Sequence, residues 1–276
     1  MADVSISVVM PVYKGDVAAH FDVALQSVCE QTVSPLEILI VQDGPIGEEL
    51  GKVLQKWCVK NEHIKPIVLE KNQGLSVALN AGIDAAKGEW IARMDADDIC
   101  KPYRFEKQVE YIKAHPELSI LGSWIDEFSE TPEQVTGTRR VPETHKELRS
   151  YAQWRCPFNH MTVMYKTAVV RKLGKYQNFG AVGDDYELWA RFLVNDYKSA
   201  NIQENLVDAR AGDAFFGKRR RGLNYLKNEV KEVNALYKLG LFNRGIWLFH
   251  VSVKTVVRLV PSFLVKPIYK LIRISS

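Results

Sequence analysis

The chain has 276 residues, of which 46% are hydrophobic and 25% charged, enough for one large α/β domain with or without an appendage. Its four cysteines are scattered and include no C-x-x-C pair, which excludes a zinc pattern and a disulfide framework. The sequence shows no signal peptide and no uninterrupted membrane-spanning stretch. We therefore expect a protein of the reducing cytoplasm.

The net charge of +4 hides an asymmetry along the chain. Residues 1–212 carry 24 Lys and Arg against 30 Asp and Glu, whereas residues 213–276 carry 13 against 3. A basic tail on a mildly acidic body suggests an anionic surface as partner. Apolar residues interleave with the basic ones, which favours a membrane face over nucleic acid. The sequence thus predicts a main domain over residues 1–212 and a basic, amphipathic helical tail over residues 213–276.

Strand and helix patterns alternate through the first hundred residues. The predicted strands are Ile6–Met10 (stopped by Pro11), Leu36–Val41, Ile64–Leu69 and Glu89–Met94. The predicted helices are Val17–Gln31, Glu48–Asn61 and Gln73–Ala86. Such alternation predicts an α/β fold with a mostly parallel sheet and helices on both faces.

The rest of the chain is less regular. Helical spacing covers Arg104–Ala114, Asp185–Asn195, Leu223–Leu239 and Ile246–Val260. Further strands are predicted at Ser119–Phe128 and Met161–Tyr165, with a polar loop over Thr131–Pro142.

Three carboxylates follow the fourth predicted strand, in the run Asp95-Ala96-Asp97-Asp98. Like charges this close are costly unless a cation neutralises them, and oxygen ligands suit Mg²⁺ or Mn²⁺. The alternative is an acidic turn that caps the helix starting near Pro102. Ligands of parallel α/β sheets bind beyond the carboxyl ends of the strands, where this run is predicted to lie.

Five motifs in this order and spacing resemble glycosyltransferase family 2, and in particular its branch of bacterial polysaccharide and O-antigen assembly. They are Ser7–Tyr13, Ile40–Pro45, Asn72–Ser76 with Asn80–Ile83, Ala92–Asp98 and Gly183–Trp189. The resemblance implies the GT-A fold, a Rossmann-like fold of nucleotide-diphospho-sugar transferases, for the 1–212 domain.

The resemblance also implies a UDP-sugar donor and a divalent metal, Mn²⁺ or Mg²⁺. Its donor-site residues fall on Pro11, Val12, Tyr13, Asp43, Asn72, Arg93, Asp95, Ala96 and Asp97. Asp97, with Asp95, would bind the metal, and Asp43 would accept a hydrogen bond from uracil. Alternatives remain for several of them: Asp43 and Asn72 also suit ordinary turns, and Arg93 a structural ion pair.

On the acceptor side, the resemblance makes Asp185 the general base, with Asp184 beside it in a supporting role. His160 could contact the acceptor or the diphosphate, or could be a structural hydrogen-bonding residue. Trp189 could be a platform for a sugar, although its place on a helix also suits the core.

The implied function is that of a metal-dependent inverting glycosyltransferase. It would move a hexose or N-acetylhexosamine to a lipid-diphosphate-linked glycan acceptor, peripheral on the inner face of a bacterial plasma membrane, in O-antigen or capsule synthesis. Two alternatives remain, a sugar-nucleotide pyrophosphorylase and a non-catalytic membrane-bound partner with the same fold. A pyrophosphorylase would need a Gly-rich, Arg-bearing loop after the first strand, which Pro11–Gly15 does not supply.

In the tail, His250, Lys254 and Arg258 are spaced by four and share one helical face. With the run Lys218–Arg221 they favour a helix that lies in the membrane interface. The alternative is packing on the protein's own body or on a second copy.

Overall fold

The computed structural model describes residues 4–180, 184–211 and 223–259. Its strands are β1 (Ile6–Val12), β2 (Glu37–Gln42), β3 (Ile64–Val68), β4 (Trp90–Arg93), β5 (Ile99–Cys100), β6 (Ile120–Phe128), β7 (Val135–Arg139), β8 (Met164–Lys166) and β9 (Ser199–Arg210). The helices are α1 (Ala18–Cys29), α2 (Glu48–Lys60), α3 (Leu75–Ala85), α4 (Arg104–Ala114), α5 (His145–Tyr151), α6 (Thr167–Lys172), α7 (Asp184–Val194), α8 (Leu223–Lys238) and α9 (Arg244–Leu259).

One sheet joins the described strands in the order β3-β2-β1-β4-β8-β6-β9-β5, with β7 paired to β6. The first four strands in sequence run parallel, as predicted. Beyond β4 the sheet is mixed, because β8 is antiparallel to both β4 and β6, whereas β9 is parallel to β6. The predicted α/β architecture, a Rossmann-like sheet flanked by helices, is confirmed.

The sheet separates two hydrophobic cores. Val8 of β1 packs in the core that contains Phe21 of α1, whereas its neighbour Val9 packs in the core that contains Leu79 of α3. Successive side chains of a strand point to opposite faces, so both faces of β1 are covered and the strand reads as a continuous apolar run. Gly82 lets α3 approach closely, since a Cβ there would lie 2.4 Å from Cγ1 of Val9.

The prediction that Pro11 ends the first strand is wrong, because β1 continues to Val12. The carbonyl of Val9 accepts a hydrogen bond from the N–H of Met94, on the side of β4. Residue 11 is two positions farther along and faces the same side, beyond the last residue of β4. The absence of an N–H at Pro11 therefore costs no hydrogen bond between the strands.

The predicted polar loop over Thr131–Pro142 is also wrong, since it contains β7. Among the described strands β7 pairs only with β6, and its side chains are mostly exposed. Its sequence therefore needs no row of apolar residues that would reveal a strand. The long strand β9 was missed entirely. It inserts between β6 and β5 and brings Arg210 to the edge of the sheet where the acidic run lies.

Helices α8 and α9 form an antiparallel pair, called here the C-terminal hairpin (Leu223–Leu259). Its buried Glu229 binds Lys254 Nζ at 3.3 Å and Arg258 Nε at 2.7 Å, and His250 Nε2 lies 2.8 Å from the carbonyl of Gln153. The basic face that the sequence assigned to lipid is thus turned toward the protein. Among the helices of the described ranges, none combines the length and apolar content needed to cross a bilayer.

Candidate active site

The carboxyl ends of β1, β2 and β4 meet at one edge of the sheet because these strands are parallel and in register. Tyr13 follows β1, Asp43 follows β2, and the acidic run follows β4. The antiparallel β8 begins at the same edge, where the N–H of Arg93 donates to the carbonyl of Val163 at 2.9 Å. The topology therefore gathers the predicted donor residues at one place.

The acidic run forms a compact oxygen cluster. One carboxylate oxygen from each of Asp95, Asp97 and Asp98 lies within 4.8 Å of the others. Asp98 is buried, and its Oδ1 accepts the N–H of Arg210 at 2.8 Å. Its buried Oδ2 has no hydrogen-bond partner among the described residues. An unpaired buried carboxylate oxygen beside two other carboxylates fits a hard divalent cation.

Burial and mutual repulsion make it harder for the carboxyl groups of this cluster to ionise. Burial raises the pKa of Asp98 well above its usual range, and the charges of Asp95 and Asp97 add to the effect. Asp97 is exposed as a residue, but partial burial of its carboxyl group and the Asp95 charge also raise its pKa, although Arg93 and Arg210 oppose them. A bound cation would reverse this effect, since it favours the charged form of each carboxyl.

Asp16 is a further carboxylate at this edge, and the sequence analysis missed it. Its Oδ2 accepts the N–H of Tyr13 at 2.9 Å, in the turn after β1. Burial, with smaller contributions from the Asp97 and Asp95 charges, raises its pKa to about 6. The ring of Tyr13 lies over Gly15, where a Cβ would be 2.5 Å from the ring. No sequence motif singled out Asp16; its position beside the cluster is a property of the turn.

Arg93 is 2% exposed and makes a two-point ion pair with both carboxylate oxygens of Asp95. The structural alternative for Arg93 is therefore present in the fold. The same contact places a positive charge beneath the acidic cluster. Arg210, also missed from the sequence, lies against the other side, with its Nε 3.3 Å from the carbonyl of Asp97 and its guanidinium 4.6 Å from the ring of Phe128.

Asp43 fixes the loop that precedes α3. Its Oδ1 accepts the N–H of Gln73 at 2.7 Å and its Oδ2 accepts the N–H of Gly74 at 2.9 Å. Asn72 Nδ2 donates to the carbonyl of Asp43 at 3.2 Å, which closes the contact from the other direction. Asp43 thus has a structural role between two loops, and each carboxylate oxygen keeps a second lone pair for a nucleotide base.

Asp185 lies in the first turn of α7, where a carboxylate is favoured by the helix dipole. Its Oδ2 is 3.7 Å from Sγ of Cys156. Residues 181–183 and the side chain of Asp184 lie outside the described part, so the predicted supporting role of Asp184 stays a prediction.

His160 and Trp189 belong to an aromatic cluster beneath this edge. Trp189 is fully buried and makes edge contacts with Phe158 and His160, which favours its core alternative over a sugar platform. His160 Nε2 lies 2.9 Å from the hydroxyl of Tyr176, and burial lowers the pKa of His160 well below its usual range. Its structural alternative is thereby favoured, with a neutral ring at pH 7.

Tyr176 links the two halves of the site. Its backbone N–H donates to Asn80 Oδ1 and its carbonyl accepts from Asn80 Nδ2, both at 2.9 Å, which ties it to α3. Burial raises its pKa well above the usual range, and the charges of Arg93 and Asp185 both act on its hydroxyl. Arg93, which is paired with Asp95, and Asp185 thus both act electrostatically on one buried hydroxyl.

A carboxylate cluster at the carboxyl ends of the parallel strands of such a sheet is typical of the GT-A class of sugar-nucleotide transferases. Residues 7–174 match the family model described as "Glycosyl transferase family 2", and the chain belongs to that family. It is therefore a glycosyltransferase, which removes the pyrophosphorylase and non-catalytic alternatives.

Curated relatives match over nearly the whole chain. The amylovoran biosynthesis glycosyltransferase AmsE of Erwinia amylovora is 36% identical over 273 residues, which cover 96% of this chain and 97% of that protein. The UDP-Gal:alpha-D-GlcNAc-diphosphoundecaprenol beta-1,3-galactosyltransferase of Escherichia coli is 34% identical over 264 residues, 96% of this chain and 94% of that protein. The chain thus resembles enzymes of bacterial polysaccharide synthesis.

Solved structures support the fold at lower identity. S. aureus TarS 1–349 in complex with UDP-GlcNAc has a TM-score of 0.67 at 16% identity, covering 90% of this chain and 70% of that chain. The mannosyltransferase PcManGT from Pyrobaculum calidifontis, in complex with GDP-Man and Mn²⁺, has a TM-score of 0.62 at 15% identity, covering 98% of this chain and 80% of that chain.

Proposed function

We propose that this enzyme transfers a hexose or N-acetylhexosamine from a UDP-sugar, with inversion, to a glycan on a lipid diphosphate during polysaccharide or O-antigen repeat-unit assembly. The observation that carries the proposal is the three-carboxylate cluster with the unpaired Oδ2 of Asp98, at the sheet edge where the donor loops meet. The Escherichia coli relative is named for a UDP-sugar donor and a diphosphoundecaprenol-linked acceptor, which are the donor and acceptor classes of the proposal.

Asp97, with Asp95 and Asp98, would hold Mn²⁺ or Mg²⁺ in this proposal. A divalent cation supplies positive charge for the negative charge that grows on the leaving diphosphate. The ion pair with Arg93 keeps Asp95 in a fixed orientation, so little reorganisation is needed at the cluster.

The uracil ring would lie at the loops after β1 and β2. Pro11 and Tyr13 are partly exposed and offer a packing surface, whereas the side chain of Val12 between them is buried in the core. Asp43 keeps lone pairs that can accept a base N–H. The backbone contacts of Asp43 pre-organise the loop at Asn72, which reduces the entropy lost on binding.

The acceptor hydroxyl would lose its proton to Asp185 as its oxygen attacks the anomeric carbon. The bond from that carbon to the diphosphate oxygen breaks on the opposite face, and UDP leaves with the bonding electron pair. An α-linked donor therefore yields a β-linked product.

We also propose that residues 213–276 form a tail that associates with the anionic inner face of the bacterial plasma membrane. The support differs from the sequence argument, since the basic face of α9 is turned inward. Its outward face is apolar instead, with Leu248, Phe249 and Val256 between 52% and 57% exposed. An exposed apolar stripe of this kind suits insertion among lipid head groups. The basic run Lys218–Arg221 lies outside the described residues.

The test is a screen of UDP-sugars against short-chain lipid-diphosphate saccharides in the presence of Mn²⁺, with the product linkage read by NMR. The proposal requires one UDP-sugar to give a β-linked product. Transfer only from GDP- or dTDP-sugars, or only to acceptors that lack a diphosphate, would contradict it.

A further inference from the structure

A cavity of about 250 Å³ lies between the main domain and the C-terminal hairpin. Side chains of both parts contribute to its wall, among them Trp154, Cys156 and Tyr186 on one side and Glu232, His250 and Lys254 on the other. Neither part encloses the space alone, so the hairpin contributes a wall to a cavity that the main domain leaves open.

The cavity is one side chain away from the proposed general base. Cys156, in its wall, has its Sγ 3.7 Å from Oδ2 of Asp185. Tyr186, also in the wall, follows Asp185 directly on α7, and its hydroxyl donates to the carbonyl of Ala152. Only the Cys156 side chain would therefore separate a molecule in the cavity from the carboxylate that must receive the acceptor's proton.

The wall combines charged and apolar groups. Glu232 is only 4% exposed, and its Oε2 is 3.8 Å from Nζ of Lys254, at the outer limit of an ion pair. Val233 and Leu236, also in the wall, are buried. A sugar ring presents hydroxyls that bind carboxylate and ammonium groups, and C–H faces that pack on apolar surface.

The Glu232 carboxylate also acts across the cavity. Burial is the main cause of the raised pKa values of Cys156 and Tyr186, and the negative charge of Glu232 contributes to both. Glu232 of the hairpin lines the same cavity as Cys156 and Tyr186 of the main domain.

An apolar path leads away from the cavity. Trp154 is 52% exposed and makes an edge contact with Phe249, with ring centroids 5.7 Å apart. Phe249 and Leu248 begin the exposed apolar stripe of α9. A lipid-linked molecule could thus have its sugar in the cavity and its hydrocarbon along the stripe.

We propose that this cavity is the acceptor site and holds the sugar of the lipid-linked acceptor. Glu232 and Lys254 bind its hydroxyls, Trp154 packs against it at the mouth, and the hairpin thereby selects the acceptor. This assignment rests on the proposed function, because it takes Asp185 as the base and a lipid-linked saccharide as the acceptor.

The decisive comparison is Glu232→Gln against Glu37→Gln. Both carboxylates are buried (4% and 1% exposed) and lie within 4 Å of a lysine ammonium, but only Glu232 lines the cavity. The probe is N-acetylglucosamine diphosphate with a short alkyl chain, assayed with UDP-galactose. We expect Glu232→Gln to raise the acceptor KM about tenfold with the donor KM unchanged, and Glu37→Gln to change the acceptor KM less than about twofold.

A second pair covers the case in which Glu232→Gln does not fold. Trp154→Ala and Tyr237→Ala both remove an exposed aromatic ring, and Tyr237 is not in the cavity wall. Only Trp154→Ala should weaken probe binding to the UDP-loaded enzyme, measured by calorimetry. If the two variants of each pair had equal effects, the cavity would not be the acceptor site. Transfer by the wild type would still support the proposed function in that case. A wild type that does not bind the probe and transfers no UDP-sugar of the screen to any lipid-diphosphate saccharide would overturn both.

Discussion

The buried guanidinium of Arg93 makes a two-point ion pair with the carboxylate of Asp95. This ion pair fixes the orientation of the Asp95 carboxylate, two residues before the exposed Asp97. The carboxylates of the cluster therefore differ in their partners. The charge of Asp95 is balanced by Arg93, whereas Asp98 has one oxygen without a hydrogen-bond partner among the described residues.

Replacing Arg93 with Lys should destabilise the protein and weaken the metal–UDP site. A lysine ammonium cannot offer two parallel N–H groups to a carboxylate, so the Asp95 orientation is lost. We expect the free energy of unfolding to fall by about 2 kcal/mol in urea, with weaker Mn²⁺–UDP binding by calorimetry. The exposed Arg140 gives the control Arg140→Lys, which should change neither quantity. Equal behaviour of the two variants would contradict a role for the ion pair.

Replacing Asp97 with Asn should abolish most transfer and leave the fold intact. Asp97 is exposed, so we expect the free energy of unfolding to change by less than about 0.5 kcal/mol. The loss of a charge at the metal should lower kcat/KM by about 10²- to 10³-fold. Asp84→Asn, at an exposed carboxylate paired with Lys175, is the control. Full activity in the presence of a chelator would show that the metal role is wrong.

Replacing Asp185 with Asn should lower kcat by about 10²- to 10⁴-fold, because an amide cannot take the acceptor's proton. Affinity for UDP should stay unchanged, since the donor loops lie at other strands. The control is Asp196→Asn, just beyond the end of α7, where the side chain is 67% exposed. Unaltered kcat in Asp185→Asn would require another base.

Replacing Gly44 with Ala should weaken UDP binding, and Gly47→Ala is the matched control. Gly44 and Gly47 have φ values of +80° and +81°, but a Cβ at Gly44 would lie 2.5 Å from the nitrogen of Asn72, and one at Gly47 would meet nothing within 4 Å. Both alanine variants share the cost of positive φ, about 1 kcal/mol. Only Gly44→Ala should also displace the loop at Asn72 and weaken UDP binding. Equal UDP affinities would contradict the role of this close approach.

The packing of α8 against α9 should depend on pH through Glu229, which lies on α8 and binds Lys254 and Arg258 of α9. Burial alone would raise its pKa, but hydrogen bonds and charges from Arg258 and Lys254 outweigh burial and lower it. The unfolded value is about 4.3, so the stabilising contribution is complete above that pH and is lost as the pH falls through the folded value.

We therefore expect Glu229→Gln to lower the free energy of unfolding by about 1 kcal/mol at pH 7, with the gap to wild type closing in acid. Urea titrations at several pH values measure it. A gap that widened as the pH fell would mean that Glu229 is not held in its charged form.

Much of the first half of the fold could be predicted from the sequence. The strands around Val9 and Ile91 are buried on both faces, so they read as apolar runs whatever their neighbours are. The second half could not be predicted in the same way. β7 is an exposed edge strand without an apolar row, and β9 derives its position from pairing with β6, which is distant in the chain.

The chemistry of the acidic run could be predicted from the sequence alone. Three carboxylates that follow a buried strand repel one another and suit a divalent cation, whatever the rest of the fold is. Which side chains join them was decided only by the tertiary structure. Asp16, Arg210 and the cavity beside Glu232 depend on turns and on elements far apart in the chain, and no local pattern encodes those contacts. The direction of the basic face of α9 was likewise decided by tertiary packing, because periodicity shows that three cations share a face but not whether Glu229 or lipid lies opposite them.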